Sequence, residues 1–266
     1  MEHSSNAKQR VRRARKDKME VRADKVNEGH RQIKEKFVEQ RKIKPLEAKN
    51  DRQRQALRSF TSKQLIVLTG SAGVGKTELA TWWACKLWLE GRVDNIIITR
   101  PYQHLGNDFG ATKGNDAEKL LPFCMSILMK IKKYLGVGIL KNNFKLDGFE
   151  AFFAEASGIQ IVAAEKIQGL SFDNRTIIIA DECQNLTVPQ VKALTTRAEE
   201  GCQIIMCGDP MQTALSAKNG LVFFQEVIEQ FPTDMVEIVH FLKEDVVRGG
   251  LTGHLVKAYE SIGTKW

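Results

Sequence analysis

The chain has 266 residues, 42% of them hydrophobic and 27% charged, which is ordinary for a soluble globular protein with length for one or two domains. No apolar run approaches the roughly 18 residues that span a bilayer, and the N-terminus MEHSSNAKQRVRRARKDKME lacks the apolar core of a signal peptide, so a cytoplasmic protein with no membrane partner is expected. The net charge of +8 is uneven: residues 1–54 hold 18 Lys and Arg against 9 Asp and Glu, and the remainder holds 22 against 23.

Residues 1–49 form the basic N-terminal arm. It has few large apolar side chains, no proline before Pro45 and no glycine before Gly29, so it is helical or disordered and builds no core alone. It serves as a solubilising arm, as a ligand for nucleic-acid phosphates, or as a helical contact to a neighbouring subunit. Residues 50–266 form the second unit. There, short apolar runs at 64–69, 95–99, 160–163, 176–180, 203–207 and 235–240 alternate with helical patterns at 76–90, 117–135, 188–200, 221–230 and about 243–260. That alternation predicts an α/β fold, a parallel sheet with helices on both faces. Five cysteines without a C-x-x-C pair argue against a disulfide framework or a zinc ribbon, and Cys202 and Cys207 read as small buried groups.

The first strand runs into GSAGVGKT, residues 70–77, in the strand–loop–helix context that a phosphate cradle requires. Gly70, Ser71, Ala72, Gly73, Val74, Gly75, Lys76, Thr77 and the following Glu78 are therefore the candidate nucleotide-binding residues, for ATP with Mg²⁺. Backbone N–H groups curl around phosphate, Lys76 reaches the β- and γ-phosphates, and the Thr77 hydroxyl ligates the metal. The tryptophans of TWWACKLW on the next helix read as core. At 177–185, IIIADECQN carries two carboxylates at the end of an apolar run. Read alone, these belong to a solvated loop or to the ligand edge of a parallel sheet. Beside a phosphate loop, Asp181 is expected to hold the Mg²⁺ hydration shell, and Glu182 to orient and deprotonate the attacking water. A third strand ends in GDPMQTAL, where Asp209 sits at the strand edge and Gln212 reaches the γ-phosphate or the water.

From about residue 50 to 262 the sequence resembles the PhoH-like (phosphate-starvation-inducible) ATPases, whose core is similar to that of superfamily 1 helicases. The resemblance rests on the order of NDRQRQAL, GSAGVGKTELA, IIITRP, GNDAEKLLPF, IIIADECQN, GDPMQTALSAKNGL and EDVVRGGL. It implies a RecA-like P-loop NTPase in which Gln53 reads the adenine edge and Thr99, Arg100 and Pro101 contact a nucleic-acid backbone. A surface glutamine and a plain salt bridge are the competing readings of Gln53 and Arg100. Arg248 resembles the family's late arginine and is expected to stabilise transition-state charge, from a neighbouring subunit; a surface arginine is the alternative. The chain departs from the pattern at ATKG (111–114), at QGL (168–170) and at Ala214. The expected function is Mg-dependent ATP hydrolysis coupled to single-stranded RNA or DNA, helicase-like and with RNA favoured, in a homo-oligomeric ring such as a hexamer. The alternatives are an ATP-gated binding switch with little turnover and, less well matched, a small-molecule kinase.

Overall fold

A computed structural model describes residues 43–101, 116–145, 158–215 and 219–262; the basic arm up to residue 42 and the ATKG segment lie outside these. Among the described residues seven strands form one sheet: β1 Leu65–Thr69, β2 Asn95–Arg100, β3 Phe144–Lys145, β4 Gly158–Ala163, β5 Thr176–Ala180, β6 Gln203–Gly208 and β7 Val236–His240. Their spatial order is β3-β4-β2-β5-β6-β1-β7, and every pairing is parallel. Six of them are the strands expected from the apolar runs. The two-residue β3 is too short to leave a pattern.

The runs of isoleucine are explained by burial on both faces. Ile66, Leu68, Ile96, Ile98, Ile177 and Ile179 enter one core with Phe60, Leu79, Trp83 and Ile127, while Leu65, Val67, Ile97 and Ile178 enter a second core with Leu194, Leu221 and Phe224. Successive residues of a strand point to opposite faces, so a strand covered on both sides has no polar alternation to display. The first face is covered by α1 Asp51–Ser62, α2 Lys76–Leu89 and α3 Asp116–Leu135, the second by α5 Val188–Thr196 and α6 Gly220–Gln230. A short α4 Val137–Asn143 follows α3, and α7 Gly250–Ile262 ends the described chain. Helix α2 buries Trp82, Trp83 and Trp88 as core, and Trp82 Nε1 donates to the Lys44 carbonyl at 3.0 Å. With Ile43 and Leu46 also packed on the core, the folded part reaches back past residue 50. All five cysteines are free and buried.

Helix ends follow local chemistry. Asn50 caps α1 by accepting from Gln53 N at 2.8 Å, a start that the sequence reading did not assign. Thr187 and Gln190 form a reciprocal capping box at α5. Two helical expectations were too long. The pattern over 188–200 stops at Thr196, where the chain turns back into β6, and that over 243–260 begins only at Gly250, whose φ of 62° is left-handed and incompatible with continuing helix.

Helices α5 and α6 meet at Gly220 so closely that an added Cβ would lie 2.5 Å from Val191 Cγ2 and 2.6 Å from the Thr187 carbonyl oxygen. Gly220→Ala is therefore expected to destabilise the fold by about 1–3 kcal/mol, the usual range for overpacking, visible as a lower midpoint in thermal or urea unfolding.

Candidate active site

The loop after β1 wraps tightly because Gly70, Gly73 and Gly75 all adopt left-handed φ values, of 135°, 90° and 97°. At Gly73 there is a further reason for glycine: an added Cβ would lie 3.1 Å from Arg248 Cδ, and the Gly73 carbonyl accepts from Val247 N at 3.1 Å. Lys76 at the start of α2 turns its ammonium onto the carbonyls of Gly70 and, at 2.8 Å, of Ser71. Burial pulls the Lys76 pKa below the ordinary lysine value, against the opposing pull of Asp209, Asp181 and Glu182. The Ser71 hydroxyl is buried without a hydrogen-bond partner among the described residues.

This loop is one wall of a cavity of about 400 Å³. Ala72, Gly73, Gly75, Lys76, Thr77 and Glu78 line it from the loop side, and Asp181, Glu182, Asp209 and Gln212 from the ends of β5 and β6. Of the expected cradle residues, Val74 instead faces the core. Glu78 meets Lys133 at 2.6 Å and the Tyr134 hydroxyl. Burial would raise its pKa, but these two hydrogen bonds and the charges of Lys133 and Lys130 hold it below the ordinary value.

Asp181 is 7% exposed, and its Oδ1 accepts from the Thr77 hydroxyl at 3.1 Å. Burial, and then the neighbouring charge of Glu182, push its pKa above the usual carboxylate range, while Arg100, Thr77 and Lys76 oppose them. A hydroxyl and a carboxylate at this separation are hard oxygen donors, and a buried carboxylate whose nearest cation, Arg100, is 4.0 Å away suits a divalent cation, so the pair fits Mg²⁺. Among the described residues no group of three or more His, Cys, Asp or Glu could hold a metal. Burial raises the Cys183 and Cys207 thiols well above their ordinary pKa, which removes them as nucleophiles.

Glu182 is the one non-glycine residue with a left-handed φ, 55°, among the described residues. Its Oε2 accepts from Gln184 Nε2 at 2.6 Å, and Gln184 Oε1 in turn accepts from Asp209 N at 3.0 Å. The Gln184 carbonyl takes the Thr213 hydroxyl at 2.9 Å, and Asn185 Oδ1 takes Ala214 N at 2.8 Å. The glutamine and asparagine after the two carboxylates thus lace the β5 and β6 ends together. Amides close behind a buried strand are the signal in the sequence for this role. Ser126 and Lys130 of α3 also line the cavity; nothing in their spacing announces this.

Three sets of expected residues are placed as follows. Gln53 does not present its amide to the cavity: Nε2 donates to the Val74 carbonyl at 2.9 Å and Oε1 accepts from Lys49 N at 2.9 Å, so the side chain fastens α1 to the phosphate loop. Thr99 and Pro101, at the end of β2, are buried side chains, and Arg100 lines the cavity. The Thr99 carbonyl accepts from Asp181 N at 3.0 Å, and Arg100 approaches the carboxylates of Asp181 and Glu182. Arg248 packs on the Gly73 of its own chain and lines the same cavity.

A glycine cradle at the end of one parallel strand, facing an acidic strand end across a cavity, makes this a P-loop nucleotide-binding domain. The PhoH-like protein family matches residues 45–260 of the sequence. The chain belongs to the PhoH-like family. Protein PhoH of Escherichia coli (strain K12) is 33% identical over 222 residues, which are 82% of this chain and 59% of that protein. A PhoH-like protein of Bacillus subtilis (strain 168) is 28% identical over 228 residues, 85% of this chain and 67% of that protein. This PhoH-like chain therefore spans about 59% of the length of the E. coli relative. Among solved structures, the large terminase of a thermophilic bacteriophage in complex with ADP is 13% identical, with a TM-score of 0.48, covering 79% of this chain and 48% of that one. The described residues of the PhoH-like chain contain no helix long and apolar enough to cross a membrane.

Removing the Gln184 amide should loosen the β6 side of the site without unfolding it. Gln184→Ala is expected to speed amide hydrogen exchange at Asp209 several-fold, consistent with a lost hydrogen bond of about 1 kcal/mol, while amides inside α2 keep their protection.

Proposed function

We propose that this PhoH-like chain hydrolyses ATP with Mg²⁺ and couples the reaction to single-stranded nucleic acid, RNA in preference to DNA. The observation that carries the hydrolytic half is Glu182: a carboxylate beside the Asp181–Thr77 pair, lining the cavity, with no ion pair among the described residues closer than the 3.7 Å approach of Arg100. A domain that only held nucleotide would need Asp181 and not Glu182. In this reading the loop N–H groups and Lys76 bind the phosphates, and Thr77 and Asp181 hold Mg²⁺, which neutralises charge on the β- and γ-phosphates. Glu182 orients a water and accepts its proton. Gln212 on the same rim orients that water or the γ-phosphate, and Arg248, lying over Gly73, stabilises the charge that develops on the transferred group.

The nucleic-acid half rests on charge. The excess of nine positive charges lies in residues 1–54, and the rest of the chain is close to neutral; a basic arm tethered to a neutral domain is a footprint of phosphate binding. With Arg248 reaching its own loop, the support for a ring is reduced to the analogy with helicases that close ATP between two cores, and the mass in solution measures it.

The test is phosphate release with and without single-stranded RNA or DNA. Stimulation supports the coupled ATPase, and turnover that ignores both leaves the nucleic-acid role without support. Glu182→Gln is expected to keep nucleotide binding and to lose about 10²–10⁴ in turnover, whereas Lys76→Ala weakens binding itself. A Glu182→Gln protein with wild-type turnover would remove the assigned base.

Arg248→Ala should lower turnover by up to about 10³–10⁵, the range for an arginine at a transferring phosphoryl group. Because the arginine acts within its chain, mixing Arg248→Ala with Lys76→Ala subunits is expected to restore nothing. Recovery in mixed oligomers would return Arg248 to a trans role.

A further inference from the structure

Arg100 is the last residue of β2, one residue beyond the Thr99–Ala180 rung that pairs β2 with β5, so its side chain leaves the sheet level with Asp181 and Glu182. The side chain is 14% exposed, hydrogen-bonded at Nη1 and within ion-pair distance of both carboxylates. Nη1 donates to the Phe123 carbonyl of α3 at 2.9 Å, and the group lies 5.9 Å from the Phe123 ring centroid. Nη2 stands 3.7 Å from Glu182 Oε1, and Nη1 stands 4.0 Å from Asp181 Oδ2. On the other side, Gln184 Nε2 donates to Glu182 Oε2 at 2.6 Å. Asp181 already has the Thr77 hydroxyl. Glu182 is 37% exposed and, but for these two neighbours, would be free to sample rotamers into solvent.

We propose that Arg100 is a positioning residue for Glu182: with Gln184 it clamps the general base from two sides and fixes it to α3 through the Phe123 carbonyl. The inference rests on the hydrolytic reading of Glu182. A guanidinium suits the task because its planar fork presents several donors in fixed directions, so one group spans a carbonyl on a helix and a carboxylate on a strand end. A lysine ammonium carries the same charge at one point. Arg100 in this role touches neither the phosphates nor the water; it acts on kcat through the orientation of Glu182.

The experiment compares Arg100→Lys and Arg100→Gln in the wild-type and Glu182→Gln backgrounds, reading kcat for ATP hydrolysis together with the affinity for a fluorescent ATP analogue. In the wild-type background both variants are expected to lose about 10- to 100-fold in kcat, as is usual when an outer partner that orients a reacting ligand is removed, with nucleotide affinity unchanged. In the Glu182→Gln background neither should lower the residual turnover further, because the group they position is gone. Wild-type kcat in Arg100→Lys would mean that charge alone suffices and would overturn the clamp. Weakened nucleotide binding would reassign Arg100 to the phosphates, and an equal fall in both backgrounds would place its action elsewhere. Full turnover in Glu182→Gln alone is a separate result: it removes the base, and the clamp with it.

Discussion

The carboxylate of Asp181 is carried by the sheet into a place where water scarcely reaches it, and the rest of the site answers to that charge. Burying an ion without partners is costly, and here the partners are few: the Thr77 hydroxyl at 3.1 Å, Arg100 at 4.0 Å and Lys76 across the cavity. Glu182 beside it makes matters worse. The result is a carboxyl displaced toward its protonated form and a lysine displaced toward its neutral one, two opposite shifts with burial as the common cause. A magnesium nucleotide, anionic at its phosphates and cationic at its metal, would relieve both at once.

Sheet order makes this concentration of charge possible. Strands β5, β6 and β1 are neighbours, so the acidic end of the first, the Asp209 end of the second and the glycine loop of the third open on one edge. The amides of Gln184 and Asn185 then tie the first two ends together. Helix α3 closes the cavity from the remaining side with Ser126 and Lys130.

What was legible in the sequence is what depends on neighbours in the chain. The phosphate loop needs glycines at fixed spacing, and the buried strands need runs such as IIIA; both are local requirements, and both appear where they were read. The misplaced residues depend on sheet order and on distant pairing. Thr99, Arg100 and Pro101 show in their letters neither the burial of the first and last nor the place of Arg100 in the cavity wall. Arg248 is remote from the loop in sequence, yet β7 lies against β1, so the segment after it returns to Gly73. Gln53 shows in its letters an amide and no partner; only the packing of α1 against the loop commits that amide to Val74.

The pairing of β7 with β1 also sets an order in time. The contact between Thr69 and His240 joins residues 171 positions apart, and Val247 with Arg248 closes on the loop only after that strand is laid down. On a ribosome that emits some 5–20 residues each second, the glycine loop is exposed for roughly ten seconds or more before its own lid has been translated. Through that interval the nascent chain carries a loop with no arginine over it and an edge of β1 without its β7 partner, and unpaired strand edges are prone to aggregate.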